Sequence, residues 1–419
     1  MPHDWKQELD EAVDRRFERI VEVRRRLHAR PELSGEERET SLYLYQLLGE
    51  EGFQVRMGPE GRGVLADTKV EGDGQAAAKI ALRGDIDALR IHEKNDVPYA
   101  SQCPGVMHAC GHDAHTALIY GAVTAIEDLR NAAALPWQAP IRGVFQPAEE
   151  TCEGAKGMVE IGALEGVSAI LATHVDPMRD LGHLGLRAGV LTANCDEMEL
   201  RIQGRGGHAA RPHETRDSIA AAAQLINSLY LFIPRATDSQ DAVVVTVGQI
   251  RGGDNANVIP EEVLLRGTIR TLDAGVRQKT FDHIRRLAHG VGETTDTRIE
   301  VHFGLGSASV NNDAALIELL RQAGRDVVGE AGLDEIPRAS MGSEDFSFYL
   351  EKVPGAMIRL GVRSSSATGS ALHTPNFDID EEALRIGAKV LARAAVLWHD
   401  PDRLASTSQQ HQKRTADER

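Results

Sequence analysis

The sequence predicts an α/β protein: a mixed, mainly parallel β-sheet flanked by helices, interrupted by an inserted α+β segment of ferredoxin-like order. Short apolar runs alternate with helical patterns near both ends of the chain, the signature of strands crossed over by helices. In the middle, the texture changes to amphipathic strands and two helices in the order β-α-β-β-α-β. A chain of 419 residues, 42% of them hydrophobic, is also long enough for more than one core.

The opening stretch is helical, with Ala12, Val13, Phe17, Ile20, Val23 and Leu27 near a 3.6-residue period, followed by Leu42, Tyr45, Leu47 and Leu48. Gly52 stops the second helix. Strands are expected at 79–82, 141–145 and 169–172, with a helix at 117–129 between the first two. From about Thr192, Met198, Leu200 and Ile202 alternate with polar residues, as on a strand with one buried face. A helix at 218–232, strands at 243–250 and 263–269, a helix at 277–289 and a strand at 298–303 complete the inserted unit. The α/β pattern then resumes with a helix at 314–328, a strand at 357–361 and a closing helix at 381–398. The expected boundaries are a first domain at 1–191 and 308–400, an inserted second domain at 192–307, and a polar, disordered tail at 401–419.

Forty-seven Lys and Arg against 63 Asp and Glu leave a net charge of −16, which argues against nucleic acid or an anionic membrane as the main partner. The chain holds no apolar run of roughly 18 residues, and its first residues lack a secretory apolar core. Four cysteines, at 103, 110, 152 and 195, are too few and too irregularly spaced for a disulfide framework, so a cytoplasmic protein is expected.

Chemistry gathers where strands end. Gly84-Asp85-Ile86-Asp87 follows the first strand of the large domain, Gln146-Pro147-Ala148-Glu149-Glu150 the next, and Thr173-His174 the third. After 357–361, a Ser/Gly loop leads to Leu372-His373-Thr374-Pro375. In an open α/β sheet the ligand crevice lies beyond the carboxyl ends of the strands, so four separate stretches deliver carboxylates and imidazoles to one place. The densest segment, Met107-His108-Ala109-Cys110-Gly111-His112-Asp113-Ala114-His115-Thr116, offers thiolate, imidazole and carboxylate donors suited to zinc and its neighbours. Cys110 and His112 can reach one centre from a loop, whereas His108 and His115 suit supporting positions. Adjacent Glu149 and Glu150 raise each other's pKa if buried together, unless a metal neutralises one and leaves the other as a base.

These blocks resemble the M20 family of dinuclear metallopeptidases, in its amidohydrolase branch of hippurate hydrolases, N-acyl-amino-acid hydrolases and auxin-conjugate hydrolases. The resemblance runs from about His28 to Leu391 and includes HARPELSGEERE, GDIDAL, MHACGHDAHT, FQPAEE, THVDP, GRGGHAARPHETRD, NVIP, GTIRT, GSEDFSF and LHTPNFDID. It implies a zinc-peptidase-like catalytic domain with Cys110, His112, Glu150, His174 and His373 as ligands of two divalent ions: zinc, or else manganese, cobalt or nickel. Asp87 would support the ligands, although a histidine ligand common elsewhere in the family is here Asp85. Arg90 stands where the branch usually carries proline. The implied reaction cleaves the amide of an N-acyl amino acid, with Glu149 as general base toward a water bridging the ions. His208 would stabilise the oxyanion from the lid of the partner in a homodimer, or a tetramer, and Arg270 with Asn257 would hold the substrate. The alternatives are a dipeptidase or an N-acetyl-diaminopimelate deacetylase of the same fold, a thiol hydrolase with Cys110 as nucleophile and His112 as base, and a scaffold without catalysis.

Overall fold

A computed structural model of the chain describes residues 4–69, 78–304, 306–364 and 370–403. Most of the Ser/Gly loop before Leu372 and most of the expected disordered tail therefore lie outside the described residues. Along the chain, helices α1 (Trp5–Ala29) and α2 (Arg38–Glu50) precede strands β1 (Gln54–Met57), β2 (Val64–Asp67) and β3 (Lys79–Asp85). Helix α3 (His112–Asn131), strand β4 (Ile141–Gln146), helix α4 (Gly154–Glu160) and strands β5 (Val167–Asp180) and β6 (Leu184–Leu186) follow. Next come β7 (Asn194–Gln203), α5 (Ser218–Ala236), β8 (Val243–Arg251), β9 (Glu262–Thr271), α6 (Ala274–Thr295) and β10 (Arg298–Phe303). The chain closes with α7 (Ala314–Val328), β11 (Leu333–Glu335), β12 (Gly355–Arg363) and α8 (Glu382–Trp398).

Two compact units result, one of Met1–Gly189, Asn311–Pro337 and Phe348–Arg419, the other of Val190–Val310 and Arg338–Ser347. The first holds an eight-stranded sheet in the order β1-β2-β4-β3-β5-β12-β6-β11. Its central pairs β3/β4, β3/β5 and β5/β12 are parallel, as is the outer pair β6/β11, whereas β1/β2, β2/β4 and β6/β12 run antiparallel. The mainly parallel core matches the expected fold, and the antiparallel strands β1, β2 and β6 flank it. Their short runs, QVRM, VLAD and LGL, are too brief to stand out by periodicity.

The second unit carries the four-stranded antiparallel sheet β8-β9-β7-β10. Met198, Leu200 and Ile202 of β7 alternate with partly exposed residues and bury one face beneath Leu225, Leu229 and Ile233 of α5 and Ile284, Ala288 and Val291 of α6. That is the one-sided strand the alternation predicted.

In the first unit, α1, α3 and α8 pack together over the sheet through Ile20, Val23, Leu118, Ala122, Ala388 and Leu391. Gly121 lets α1 and α3 approach closely, since a Cβ there would meet Ile20 Cδ1 at 2.4 Å. Through this seam runs a buried charge network. Arg24 Nε donates to Asp113 Oδ2 at 2.9 Å, and its Nη2 donates to Asp378 Oδ1 at 2.6 Å. His28 Nδ1 donates to the same Asp113 oxygen at 2.8 Å, while its Nε2 lies 3.1 Å from Glu93 Oε1.

Burial opposes the charged form of His28, but the Asp113 carboxylate, joined by Glu93, outweighs it and raises the pKa from 6.5 to about 9. A group whose folded pKa is raised stabilises fully below its unfolded value and loses that contribution as pH rises through the folded one. We therefore expect urea midpoints of the wild-type protein to fall between about pH 6.5 and 9 relative to those of His28→Gln. Parallel pH profiles of the two proteins would show that His28 is not a charged partner.

Candidate functional site

The carboxyl ends of β3 and β4 and the middle of β5 set the site. Beyond Asp85, the last residue of β3, the chain turns so that Asp87 is buried with both oxygens engaged. Its Oδ2 accepts from Ser34 Oγ at 2.7 Å and from the Glu150 amide at 3.0 Å. Beyond β4, Ala148 adopts a left-handed conformation with φ 51°, which turns Glu149 and Glu150 back across the strand ends. An alanine there carries strain of about 1–2 kcal/mol, offset by the buried Glu37, whose Oε1 accepts the amides of both Ala148 and Gly35 at 2.8 Å.

Gly111, at φ 85°, starts α3, and only glycine fits, because a Cβ would lie 2.5 Å from Val175 Cγ2. The helix begins five residues ahead of the expected start, so His112 is its first residue rather than a loop residue. His112 Nδ1 lies 3.0 Å from both the carboxylate and the carbonyl oxygen of Asp87, leaving Nε2 buried without a hydrogen-bond partner. That nitrogen is 3.8 Å from Glu149 Oε2 and 3.9 Å from Glu150 Oε1. β5 likewise extends past its expected end, so His174 lies within the strand. Its Nδ1 donates to the Val175 carbonyl at 2.8 Å, and its Nε2 is 3.6 Å from Cys110 Sγ. His373, held at φ 61° with its amide on the Ala109 carbonyl at 2.8 Å, brings Nε2 to 3.1 Å from Glu150 Oε1.

Two triads emerge that share one thiol. Potential ligand atoms of Cys110, His112 and His174 lie within 4.8 Å of one another, and so do those of Cys110, Glu150 and His373. His112, Glu149 and Glu150 form a further such group, placing Glu149 beside both triads. Electrostatics divides the imidazoles. Burial, with the charge of Arg359, pushes His174 well below the usual range, which leaves its ring neutral. For His112 burial acts in the same sense, but Asp85, Cys110 and Asp87 together hold it well above. His373, half-exposed and hydrogen-bonded to Cys110 and Glu150, is raised to about 10. Both shifts report a surplus of negative charge at one point, which is the condition a bound cation relieves. His108 is buried with neither ring nitrogen hydrogen-bonded, and burial pushes its pKa down to about 4.

The remaining expected residues belong to the second unit. His208 is exposed on a two-residue strand opposite Val258, and the neighbouring Ala209 amide donates to the Asn257 carbonyl at 3.1 Å. Asn257 is exposed too. Arg270, on β9, is partly buried and donates from Nη1 to the Met341 carbonyl at 2.8 Å.

Residues 81–396 match the model of peptidase family M20/M25/M40. The chain belongs to that family. Among its relatives, a probable hydrolase of Synechocystis is 41% identical, covering 93% of this chain and 98% of the relative. An N-acetyl-L-cysteine deacetylase of Bacillus subtilis is 38% identical, covering 87% of this chain and 84% of the relative. Among solved structures, a Bacillus subtilis protein described as a dinuclear metal binding peptidase from the M20 family superposes with a TM-score of 0.77 at 34% identity, over 92% of this chain and 98% of the other. The protein is thus a hydrolase of the amidohydrolase branch of M20, with the fold of that family.

For this M20 hydrolase, sequence reasoning missed the supports beneath the site. Glu37 sits inside the quoted HARPELSGEERE block, yet its partner Ala148 is 111 residues away, and no local spacing reveals it. Arg24 lies on an ordinary helical pattern. Asp113, in the first turn of α3, turns its carboxylate to Arg24 and His28. Replacing Asp87 by Ala leaves His112 Nδ1 only the main-chain carbonyl of residue 87 and removes the acceptor of the Glu150 amide. Turnover is expected to fall about 10- to 100-fold with the circular dichroism spectrum retained. Unchanged turnover would mean that the Asp87 side chain does not orient His112.

Proposed function

We propose that this M20 hydrolase cleaves the amide bond of N-acyl amino acids, releasing a carboxylic acid and a free amino acid, with two divalent cations held by Cys110, His112, Glu150, His174 and His373. The carrying observation is the pair of triads sharing Cys110. The residues fit such ions: His112 Nε2 is buried and unpartnered, and the other nitrogen of both His112 and His174 is already committed to a fixed acceptor. Mixed sulfur, nitrogen and oxygen donors suit zinc best, and also manganese, cobalt or nickel. Bound there, the ions would lower the pKa of water toward about 7 and polarise the scissile carbonyl.

The chain's own groups complete the reaction. Glu149, buried next to the His112 ring, takes the proton of the attacking water and returns it to the departing amine. Arg270 offers a fixed charge for the carboxylate of the amino-acid half, with Asn257 on the same unit as a polar contact. The deacetylase names of close relatives support a short acyl group on the amino-acid nitrogen.

Glu149→Gln should lower kcat about 10²- to 10⁴-fold while leaving bound metal unchanged. Dialysis against EDTA should abolish hydrolysis, and Zn²⁺ or Mn²⁺ should restore it. Activity that survives full chelation would favour Cys110 as a nucleophile instead. Hippurate, N-acetyl amino acids and dipeptides assayed side by side decide the substrate, and a preference for dipeptides would overturn the N-acyl reading.

Full activity is proposed to need a homodimer, with the partner subunit's His208 donating to the oxyanion. An exposed apolar edge supports this. β8 is an outer strand of its sheet and leaves Val244 and Ile250 41% and 61% exposed, an arrangement prone to pair with another strand. Val244→Lys with Ile250→Lys should give a monomer by sedimentation and at least about a tenfold loss of turnover. A fully active monomer would sink the dimer requirement.

A further inference from the structure

Beneath the first triad, Asp85 is wholly buried, and its two oxygens face different partners. Oδ2 accepts from Arg83 Nη1 at 2.7 Å, and Oδ1 accepts from His115 Nδ1 at 2.7 Å. The Asp85 carbonyl takes the Thr116 hydroxyl at 2.6 Å, pinning the first turn of α3 to the end of β3. Arg83 is itself fixed, with Nε donating to Gln146 Oε1 at 2.8 Å. With the His115 proton on Nδ1, Nε2 is an acceptor, and the Val175 amide donates to it at 2.9 Å. The carbonyl of the same residue accepts His174 Nδ1 at 2.8 Å. The rings of His115 and His174 are also in contact, with centroids 4.8 Å apart.

From this geometry we propose that Arg83, Asp85 and His115 form a positioning relay that sets the rotamer and tautomer of His174 through the backbone of Val175, and so controls metal affinity at the triad Cys110–His112–His174. The relay rests on the reading of those three residues as ligands of one ion. Asp85 is a positioning residue rather than a ligand. Both of its oxygens already accept from fixed donors, Oδ2 from Arg83 Nη1 and Oδ1 from His115 Nδ1, at 2.7 Å each. Each link has one workable polarity. Arg83 donates only, so Asp85 must accept on both oxygens. His115 must then donate from Nδ1 and accept at Nε2, which suits an amide N–H and nothing that accepts. The backbone of Val175, fixed at the sheet end, presents its carbonyl to His174, and the Nε2 of that ring is left to face Cys110.

Asp85→Asn breaks the polarity without changing volume. An amide cannot accept from both Arg83 and His115, and if its NH2 faces His115 the ring must flip tautomer and present N–H against N–H at Val175. The test is metal binding, measured by zinc titration of the apo-protein against a chromogenic chelator, alongside the thermal midpoint of the metal-free protein. Asp85→Asn and His115→Phe are expected to weaken one of two zinc sites about 10- to 100-fold and leave the second close to wild type, with the apo midpoint of Asp85→Asn lowered because the buried Arg83 loses its counter-charge. His115→Gln, which can still donate at one end and accept at the other, should recover part of that affinity. His112→Ala serves as the ligand control. If it weakens one zinc site while Asp85→Asn and His115→Phe bind both ions as the wild type does, the relay is wrong and the ligand assignment stands. If the wild type binds no zinc, or His112→Ala changes nothing, the ligand assignment itself fails. A large drop in the apo midpoint of both relay variants, with zinc affinity unchanged, would assign these residues to folding alone.

Discussion

Asp85, Asp87 and Asp113 are each no more than 1% exposed, and a carboxylate buried without partners costs several kcal/mol. Much of the catalytic unit is organised around supplying those partners. Arg83 reaches Asp85 along one strand, and Ser34 and the Glu150 amide reach Asp87 from two separate loops. Arg24 and His28 come to Asp113 from the first helix of the chain. Each acid also holds an imidazole or a main-chain donor at the sheet end, so the groups that neutralise the acids are the groups that place the site. Folding and site assembly are one event in electrostatic terms, since an acid left without its cation would disfavour the compact state.

The site is preorganised against its own repulsion. Glu149, Glu150, Cys110 and two aspartates share a small volume, and the chain holds them there with left-handed backbone at Ala148 and His373 and a glycine start to α3. Strain of this kind persists only where surrounding contacts over-determine it. Here Glu37 and the Ala109 carbonyl do so.

How much of this could be read from residues alone depended on the range of the interaction. The alternation of Met198, Leu200 and Ile202 reported its own environment, because burial on one face acts residue by residue. Strand ends pointed to Glu150, His174 and His373, the dense 107–116 segment to Cys110 and His112, and the resemblance to all five as one ligand set; the structure brings all five together. The start of α3 and the length of β5 were misjudged because tertiary contacts extend both elements: Gly111 packs against Val175, and β12 pairs along β5. Glu37, Arg24 and Arg83, the partner of Asp85, escaped notice because an isolated acid or arginine has the same local texture whether it is solvated or buried. Only the partner tells them apart, and most of the partners are remote.

The parallel pairing of β5 with β12 spans a long interval of chain, with Thr173 and Ile358 separated by 185 residues and the whole second unit between them. His373 comes later still. A ribosome making this protein therefore releases Cys110, His112, Glu150 and His174 well before the strand that completes their sheet and the imidazole that completes their cluster. During that interval the half-made sheet exposes the pairing edge of β5, while the second unit has all of its own strands and can fold first. The order of synthesis thus allows the second unit to fold early and leaves the candidate site among the last parts that can close.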